Sequence, residues 1–562
     1  MTLDKEKELI KKSLKSFKKL KGIDDFLNSP LPYRFSKLIP CISMKSSNAE
    51  ELRFQGNDLF NKNGHDTCVH FAILEKYNQS IAFSPLKSET LALAYGNKSA
   101  ILEHIRQYKE SILSIDRAVK ITMSAPLKVK LHCRKAKCMM ALGLPDFNKN
   151  LELAKFWLGK IFAEEKIYKD LTDLINQTKT FIEKFESLKT DEKFAEMFGS
   201  LTTREEEPKV PSAVEIAYSE EFGKHLIASR DIKPGEILVM EKTFNSAPFT
   251  GLSYLYCWHC NSFLWDTIPC DGCALSLFCS EQCKTESWEK YHSIECKVVS
   301  TIFITYRYIS SSCSTFMTTE SSVFKSPGMR IFFSALKQSE DVNKLQATLE
   351  SFDNSEDREK ILKKLPIDDY RQFYALSSMV RGSDLDAIVK DCALCLIILA
   401  KSTSVFEKIF ESSDFNVKKL LNNNDILFMG ALLLKFCVVA DFHGFPNRRK
   451  PHCQREGNPC KSIGCGWISW SLDLKSSLLI RRTCIPNAIR CMMKSNQMIL
   501  YSILPIKKGA QIFGSILNIF DGATKIQRQQ VYEQQYGSPC DCRACTENWP
   551  VVDYAENYYE EV

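Results

Sequence analysis

The sequence predicts a multidomain, helix-rich α+β protein, with helical repeats followed by a strand-rich core that a Cys/His knot and a helical insertion interrupt. Three observations predict it. A pattern of small and aromatic residues recurs three times before residue 150, which is the mark of stacked helix pairs. Eight Cys/His residues crowd into positions 257–296 at metal-ligand spacing. Strand-like segments lie on both sides of that knot, at 213–250 and 460–516, the second with a hairpin signal: Ala488–Met493, a turn at 494–497, then Met498–Leu504. Glycine is sparse, 22 in 562 residues, as expected of a helix-rich chain.

Charge and cysteine usage narrow the function classes. The 75 basic and 68 acidic residues leave only +7, so bulk charge gives no strong case for nucleic-acid binding. No apolar run reaches membrane-spanning length, and residues 1–21 are Lys-rich without an apolar signal core. The expectation is an intracellular protein, cytoplasmic or nuclear, whose 23 cysteines stay reduced and bind metal instead of pairing as disulfides.

Residues 1–45 read as a basic amphipathic helix and linker, with the helix expected to show solvent a charged face. Residues 46–200 read as helix after helix. Gly56, Ala82, Ala94, Gly96, Ala100, Ala118 and Ala136 fall where helices cross closely, and Phe60, Tyr77, Tyr95 and Tyr108 fill the grooves. The pattern resembles tetratricopeptide repeats, with a loop around 61–66 stretching the first interval. Residues 201–212, with Pro208 and Pro211 among charges, read as a linker.

The knot reads Cys257-x2-Cys260-x9-Cys270-x2-Cys273-x5-Cys279-x3-Cys283-x8-His292-x3-Cys296. Each CxxC turn aims two thiolates at one ion, and the x3 pairs sit one helical turn apart. Eight ligands make two closed tetrahedral sites, paired alternately: Cys257, Cys260, Cys279 and Cys283, then Cys270, Cys273, His292 and Cys296. No ligand position stays open, so these zinc ions are structural. The spacing is similar to a MYND finger, a module that typically binds Pro-rich peptides.

The flanks extend the resemblance. Phe222–Lys242, with Gly223, Arg230, Asp231, Pro234 and Gly235, is similar to the first SET motif. Thr483-Cys484-Ile485-Pro486-Asn487 is similar to the end of the SET Asn-His-Ser-Cys-x-Pro-Asn motif, and Lys507-Lys508-Gly509 to the step before the catalytic tyrosine. Cys540-x-Cys542-x2-Cys545 looks like the post-SET cluster, which in that family shares a third zinc with the motif cysteine, here Cys484. The chain thus resembles the SET and MYND domain-containing family, and within it the repeat-bearing type. The divisions that follow are the SET N-terminal part at 213–256, the finger at 257–296, a helical insertion at 298–440, the SET C-terminal core at 441–520, the post-SET cluster at 521–550 and an acidic tail at 551–562.

The resemblance implies transfer of a methyl group from S-adenosylmethionine to a protein lysine. It also assigns pocket positions: Gly223, Lys224, His225, Arg481, Arg482 and Ser538 at the cofactor, and Ile516 where the family has its catalytic tyrosine. Most have departed. His225 replaces a glycine, Arg481-Arg482 replaces Asn-His beside a cationic cofactor, and neither Ile516 nor Ser538 supplies the family's aromatic. The expectation is a zinc-built interaction scaffold with degenerate methyltransferase machinery, the alternative being an active enzyme with a divergent pocket in which Tyr501 or Tyr532 serves. Loosely spaced His452, Cys453, Cys460 and Cys465 read as a surface loop, and Cys392, Cys395 and Cys437 as small core residues.

One further set lies in the repeats. Repeat proteins that grip the acidic C-terminal tails of heat-shock chaperones use cations and asparagines at fixed positions, and Arg53, Asn57, Asn97, Lys130 and Arg134 match them in order. Arg53/Asn57 and Lys130/Arg134 are i, i+4 pairs, so each pair shares a helix face.

Overall fold

The computed structural model describes residues 3–17, 48–63, 69–189, 213–220, 223–242, 245–248, 254–298, 327–339, 341–366, 369–376, 382–402, 421–443, 445–449, 466–472, 479–492, 497–515, 523–536 and 539–550. The expected 201–212 linker, His452, Cys453, Cys460, Cys465, Ile516, Ser538 and the acidic tail lie outside them. Among the described residues the cysteines whose side chains are described are free thiols, and no helix is long and apolar enough to cross a membrane.

The chain opens with α1 (Leu3–Phe17). The repeats follow as α2 (Asn48–Asn63), α3 (His70–Phe83), α4 (Glu89–His104), α5 (Tyr108–Ile121), α6 (Ala125–Ala141), α7 (Phe147–Leu158) and α8 (Lys166–Lys189). Their starts are written locally: the Ser88 and Ser124 hydroxyls accept from Leu91 N and Leu127 N as N-caps. Helices α2, α4 and α6 pack side by side as an inner row. Gly56 allows the first pair to close, because a Cβ there would lie 2.6 Å from the Tyr77 ring. Residues 61–63, expected in a loop, are the last turn of α2.

The segment before the finger supplies β1 (Val214–Ser219), β2 (Gly223–Ala228), β3 (Ile237–Lys242) and β4 (Asn245–Pro248). The finger holds β5 (Ile268–Pro269), β6 (Leu277–Phe278), α9 (Glu281–Ser287) and a π-turn at Trp288–His292. The insertion is helical: α10 (Pro327–Ser339), α11 (Val342–Asp353), α12 (Arg358–Lys364), α13 (Tyr370–Tyr374), α14 (Gly382–Ser402) and α15 (Asn424–His443). Then come β7 (Phe445–Arg449), β8 (Gly466–Leu472), β9 (Arg481–Thr483), β10 (Ala488–Met492), β11 (Gln497–Ser502), β12 (Phe513–Ser515), α16 (Lys525–Tyr536) and α17 (Arg543–Thr546).

The two halves of the interrupted core rejoin across more than 200 residues. One sheet runs β3-β11-β10-β12-β9, with β3 and β10 antiparallel to β11, and β12 parallel to β10 and β9. The expected hairpin is present as β10–β11, and alternation along β11 buries Met498, Leu500 and Ser502. Two Gly turns meet beside it. Gly235 and Gly509 adopt φ of +87° and +82°, and Asp231 accepts from Lys507 Nζ at 3.0 Å and Lys508 N at 2.9 Å.

The N-terminal helix departs from expectation. Its polar face is not the whole story: Ile10 and Leu14 are fully buried, and α1 packs against α14 and α15. Gly430 makes room, since a Cβ there would lie 2.8 Å from Ile10 and 2.5 Å from Leu396. Glu6 is buried too, and desolvation raises its carboxyl to about 7 against the pull of Lys435. The stripe of α1 is narrow because only one side meets the groove, so the sequence shows mostly lysine. Lys435, which breaks the apolar run of α15, sets its ammonium 4.3 Å from the centre of the Tyr374 ring.

The repeats and the finger share a core. Ile73, Leu74, Tyr77, Ile101 and Leu102 pack with Leu255 and Tyr256, edged by Phe263 and Trp265. A polar seam fixes the docking. Arg117 forks onto Asp266 at 3.0 and 2.8 Å, Tyr95 donates to the Thr267 carbonyl at 2.8 Å, and Asn78 to the Tyr254 carbonyl at 2.7 Å. At its centre Lys98, with 0% exposure, donates to Asn78 Oδ1 (2.8 Å), the Leu264 carbonyl (2.9 Å) and Thr267 Oγ1.

Burial lowers the Lys98 ammonium to about 7, partly opposed by Asp266 and aided by Arg117. Unfolded, Lys98 binds its proton up to the ordinary 10.5. Between those values the unfolded state holds more protons, so stability rises with pH from about 7 toward 10.5 and is flat in this group below 7. Thermal melts across that window should show the slope, and Lys98→Met should remove it. A slope unchanged in Lys98→Met would contradict the assignment.

Candidate metal centres and pocket positions

Three clusters bring four ligand atoms each within 4.8 Å of one another, and the described residues hold them in the alternating arrangement: Cys257, Cys260, Cys279, Cys283; Cys270, Cys273, His292, Cys296; and Cys484, Cys540, Cys542, Cys545. The donor sets fit zinc. Thiolates about 2.3 Å from a tetrahedral ion stand about 3.8 Å apart. Here Cys260–Cys279 is 3.5 Å, Cys279–Cys283 3.6 Å, Cys270–Cys296 3.7 Å, and Cys484 is 3.6 Å from both Cys540 and Cys545. Within each cluster the hydrogen-bonded thiols polarise one another: Cys260, Cys270 and Cys540 are held below the ordinary thiol value, Cys540 at about 5, while their partners Cys257, Cys296 and Cys484 are raised.

Local structure aims the ligands. Asn261, at φ +53°, turns the first knuckle so that its N–H reaches the Cys257 carbonyl at 3.0 Å. Gly272 N donates to Cys270 Sγ at 3.3 Å, and a side chain there would stand 2.9 Å from Cys296 Sγ. His292 offers Nε2 to its cluster, 3.3 Å from Cys270 Sγ, while Nδ1 meets Glu295 Oε2 at 2.7 Å. That carboxylate fixes the ring's orientation. Glu295 is itself 3% exposed, accepts from Trp258 Nε1 at 2.7 Å and from Arg330 Nε at 3.2 Å. Arg330, from α10, lies 4.9 and 5.0 Å from the Trp258 and Tyr291 ring centres. The finger's second metal site is thereby tied to the helical insertion. Sequence reading missed Glu295 and Arg330. Glu295 carried a signal, since it sits one turn beyond a ligand histidine; Arg330 carried none.

Helix α16 supports the third cluster. The Gln529 side-chain amide and the Cys540 backbone exchange two hydrogen bonds of 2.7 Å, and buried Arg528 donates to the Ala523 and Ala544 carbonyls at 2.6 and 2.9 Å. Asn487 links β12, its Oδ1 accepting from Phe513 N at 2.8 Å and its Nδ2 donating to the Gln511 carbonyl at 2.9 Å.

The pocket positions fall unevenly. Gly223, Lys224 and His225 lie on β2, with His225 buried opposite Ala217. Arg481 Nη2 donates to both oxygens of Asp541, at 2.8 and 2.7 Å, so it bridges β9 to the loop between two cluster cysteines. The Arg482 carbonyl accepts from Tyr532 at 3.2 Å, which gives that tyrosine a structural use; Tyr501 is half-buried on β11.

The clamp residues stand on the inner helices α2, α4 and α6, but four of them are engaged. Asn57 Oδ1 accepts from Asn97 at 2.6 Å and Tyr77 at 3.0 Å. Arg134 pairs with Glu103 at 3.2 Å and donates to the Gly96 carbonyl and Ser99 Oγ at 2.9 and 2.8 Å. Arg53 is 8% exposed and lies 3.5 Å from Glu50, whereas Lys130 is exposed.

Comparison with known proteins agrees with this geometry. The MYND finger family model matches residues 257–296. A protein of Gallus gallus described as protein-lysine N-methyltransferase SMYD4 is 30% identical over 277 residues, covering 43% of this chain and 36% of that protein. Its Homo sapiens counterpart is 29% identical over 247 residues, covering 39% and 30%. A SET and MYND domain-containing protein of Dictyostelium discoideum is 33% identical over 90 residues, covering 15% and 23%. The match thus spans about a third of the length of the first two relatives. A solved SET domain of LSMT, bound to lysine and AdoHcy, aligns with 62% of this chain and 56% of its own at 11% identity and a TM-score of 0.22, too slight a likeness to carry weight. With its finger set between the two halves of one sheet, the chain carries a MYND finger and is similar to SET and MYND domain-containing proteins, those described as SMYD4 among them.

Proposed function

We propose that this protein acts as a zinc-built interaction scaffold in which the methyltransferase machinery has degenerated, working in the cytoplasm or nucleus. The observation that supports it is the Arg481–Asp541 bridge. Where the family resemblance implies a neutral cofactor contact, this chain has a cation whose guanidinium serves to hold the post-SET loop. A second arginine, Arg482, follows, and S-adenosylmethionine carries a positive sulfonium that this cation opposes, while Arg481 is held by Asp541 and offers the cofactor no contact. The repeats would grip acidic peptide tails such as those of heat-shock chaperones through the inner-helix residues, and the finger Pro-rich peptides.

The alternative, an active protein-lysine methyltransferase, is favoured by the description of the type 4 relatives. A calorimetric titration of zinc-loaded protein separates the two. The scaffold reading expects no saturable S-adenosylmethionine binding, and improved binding after Arg481→Asn with Arg482→His. Tight binding by the unaltered chain would favour the enzyme.

A further inference from the structure

Helix α1 lies in a groove of the helical insertion, and its hold there is narrow. Glu6, Ile10, Ser13 and Leu14 are buried, a single stripe at i, i+4, i+7 and i+8, while Asp4, Lys5, Glu8, Lys12 and Lys15 are exposed. Ile10 and Leu14 belong to one apolar core with Leu396 of α14 and Met429 and Leu433 of α15, and Leu9 packs at its edge. The approach at Gly430 is too close for a side chain, with Leu396 and Ile10 at 2.5 and 2.8 Å from a Cβ placed there. A helix of this length is marginal in water by itself, so the groove supports its folding as well as its position. In the sequence, residues 18–47 join α1 to α2.

Into this seam the chain sets a carboxyl group. Glu6 is 1% exposed, and its Oε2 has no hydrogen-bond partner among the described residues. Burial lifts the carboxyl to about 7, against Lys435 of α15 and the amino terminus, which pull it down. Tyr374 of α13 also faces Glu6, but its hydroxyl donates to Asp353 of α11 at 2.6 Å, and the Lys435 ammonium lies over its ring. The buried Asp391 of α14 bears on Cys392 and Cys395 instead. An ionised Glu6 would therefore sit in an apolar seam with one oxygen lacking a donor, which burial penalises heavily; the neutral acid escapes most of that penalty.

We infer that α1 is a reversible latch on the insertion, closed while Glu6 is a neutral acid and loosened when Glu6 carries its charge, so that the α14–α15 groove is covered in acid and uncovered more often toward neutral pH. Outside the groove Glu6 returns to the ordinary 4.5. Between 4.5 and about 7 the docked state holds the extra proton, so docking weakens as pH rises through that window and is flat in this group on either side. The hold it works against is two fully buried aliphatic side chains and the edge of Leu9, narrow enough for one buried charge to compete with.

The test uses the full zinc-loaded chain and reads amide hydrogen exchange across residues 3–17, wild type beside Glu6→Gln, at about pH 6 and about pH 7.5. Glu6→Gln keeps the shape and cannot ionise, and intrinsic chemical exchange cancels between the two proteins at each pH. The ratio of wild-type to Glu6→Gln opening should rise about tenfold between the two pH values. An apolar-surface dye should bind more at the higher pH in wild type alone. Ile10→Asp, which puts a charge into the same seam from a terminal helix, should open α1 at both pH values while α2–α8 keep their protection. A ratio that does not change with pH would overturn the latch. Unprotected exchange of α1 in both proteins at the lower pH would overturn it as well, since the helix would not be held in the groove. Exchange rising equally through α1, α14 and α15 would mark unfolding of the insertion and likewise overturn the release of one helix.

Discussion

Replacing Cys270 with serine should lower bound zinc from three ions to two and unfold the finger. Structural zinc contributes about 10–16 kcal/mol of apparent binding free energy in small fingers, comparable with the whole stability of a typical domain, about 5–15 kcal/mol. The finger's own strands are only two residues long, so the metal sites fix its internal fold while its outer faces pack on the repeats and the insertion. The loss should spread, because Leu255, Tyr256, Phe263 and Trp265 form the finger's side of the core shared with the repeats. Limited proteolysis should then cut near 254–298 and loosen α3 and α4 together. Metal analysis by plasma emission gives the ion count. Three ions retained in Cys270→Ser would show that this cluster is not a zinc site.

Glu295→Ala should cost about 3–5 kcal/mol, the range for removing one partner of a buried ion pair. Burial opposes ionisation of Glu295, yet Arg330 and His292 outweigh it and hold the carboxyl below its ordinary value. Its removal takes the carboxylate away from the buried Arg330 guanidinium, 2% exposed, and frees the His292 ring to rotate off its cluster. Glu295→Gln keeps the shape and one acceptor, so it should recover part of the loss. Chemical denaturation with zinc release monitored by a chromogenic chelator reads both effects. Release of zinc at wild-type denaturant concentrations in Glu295→Ala would remove the carboxylate from any role at the metal.

Much of this was legible in sequence because the signals are local. A ligand pair two or three residues apart, a Gly in a left-handed turn, and an N-cap serine each carry their reason within a few positions. The finger, the β10–β11 hairpin, the repeats and the apolar thiols Cys392, Cys395 and Cys437 all belong here. What escaped depends on distant partners. Lys98 looks like any helical lysine until Leu264 and Thr267 close over it, some 170 residues on. The lysine-rich α1 reads as a solvated helix because its groove, between α14 and α15, lies nearly 400 residues away. Arg134 matched a clamp position, but its neighbour Glu103 claims part of the guanidinium. Pairing between elements, unlike capping or ligand spacing, has no short-range code.

The most direct test of the zinc-scaffold reading is methyl transfer itself. Full-length chain loaded with three zinc ions would be incubated with radiolabelled S-adenosylmethionine and a broad panel of lysine-containing proteins. No labelling above the protein-free background is expected, with incorporation emerging only when Arg481→Asn, Arg482→His and Ile516→Tyr are combined. Robust labelling of any protein by the unaltered chain, abolished by competing S-adenosylhomocysteine, would contradict it.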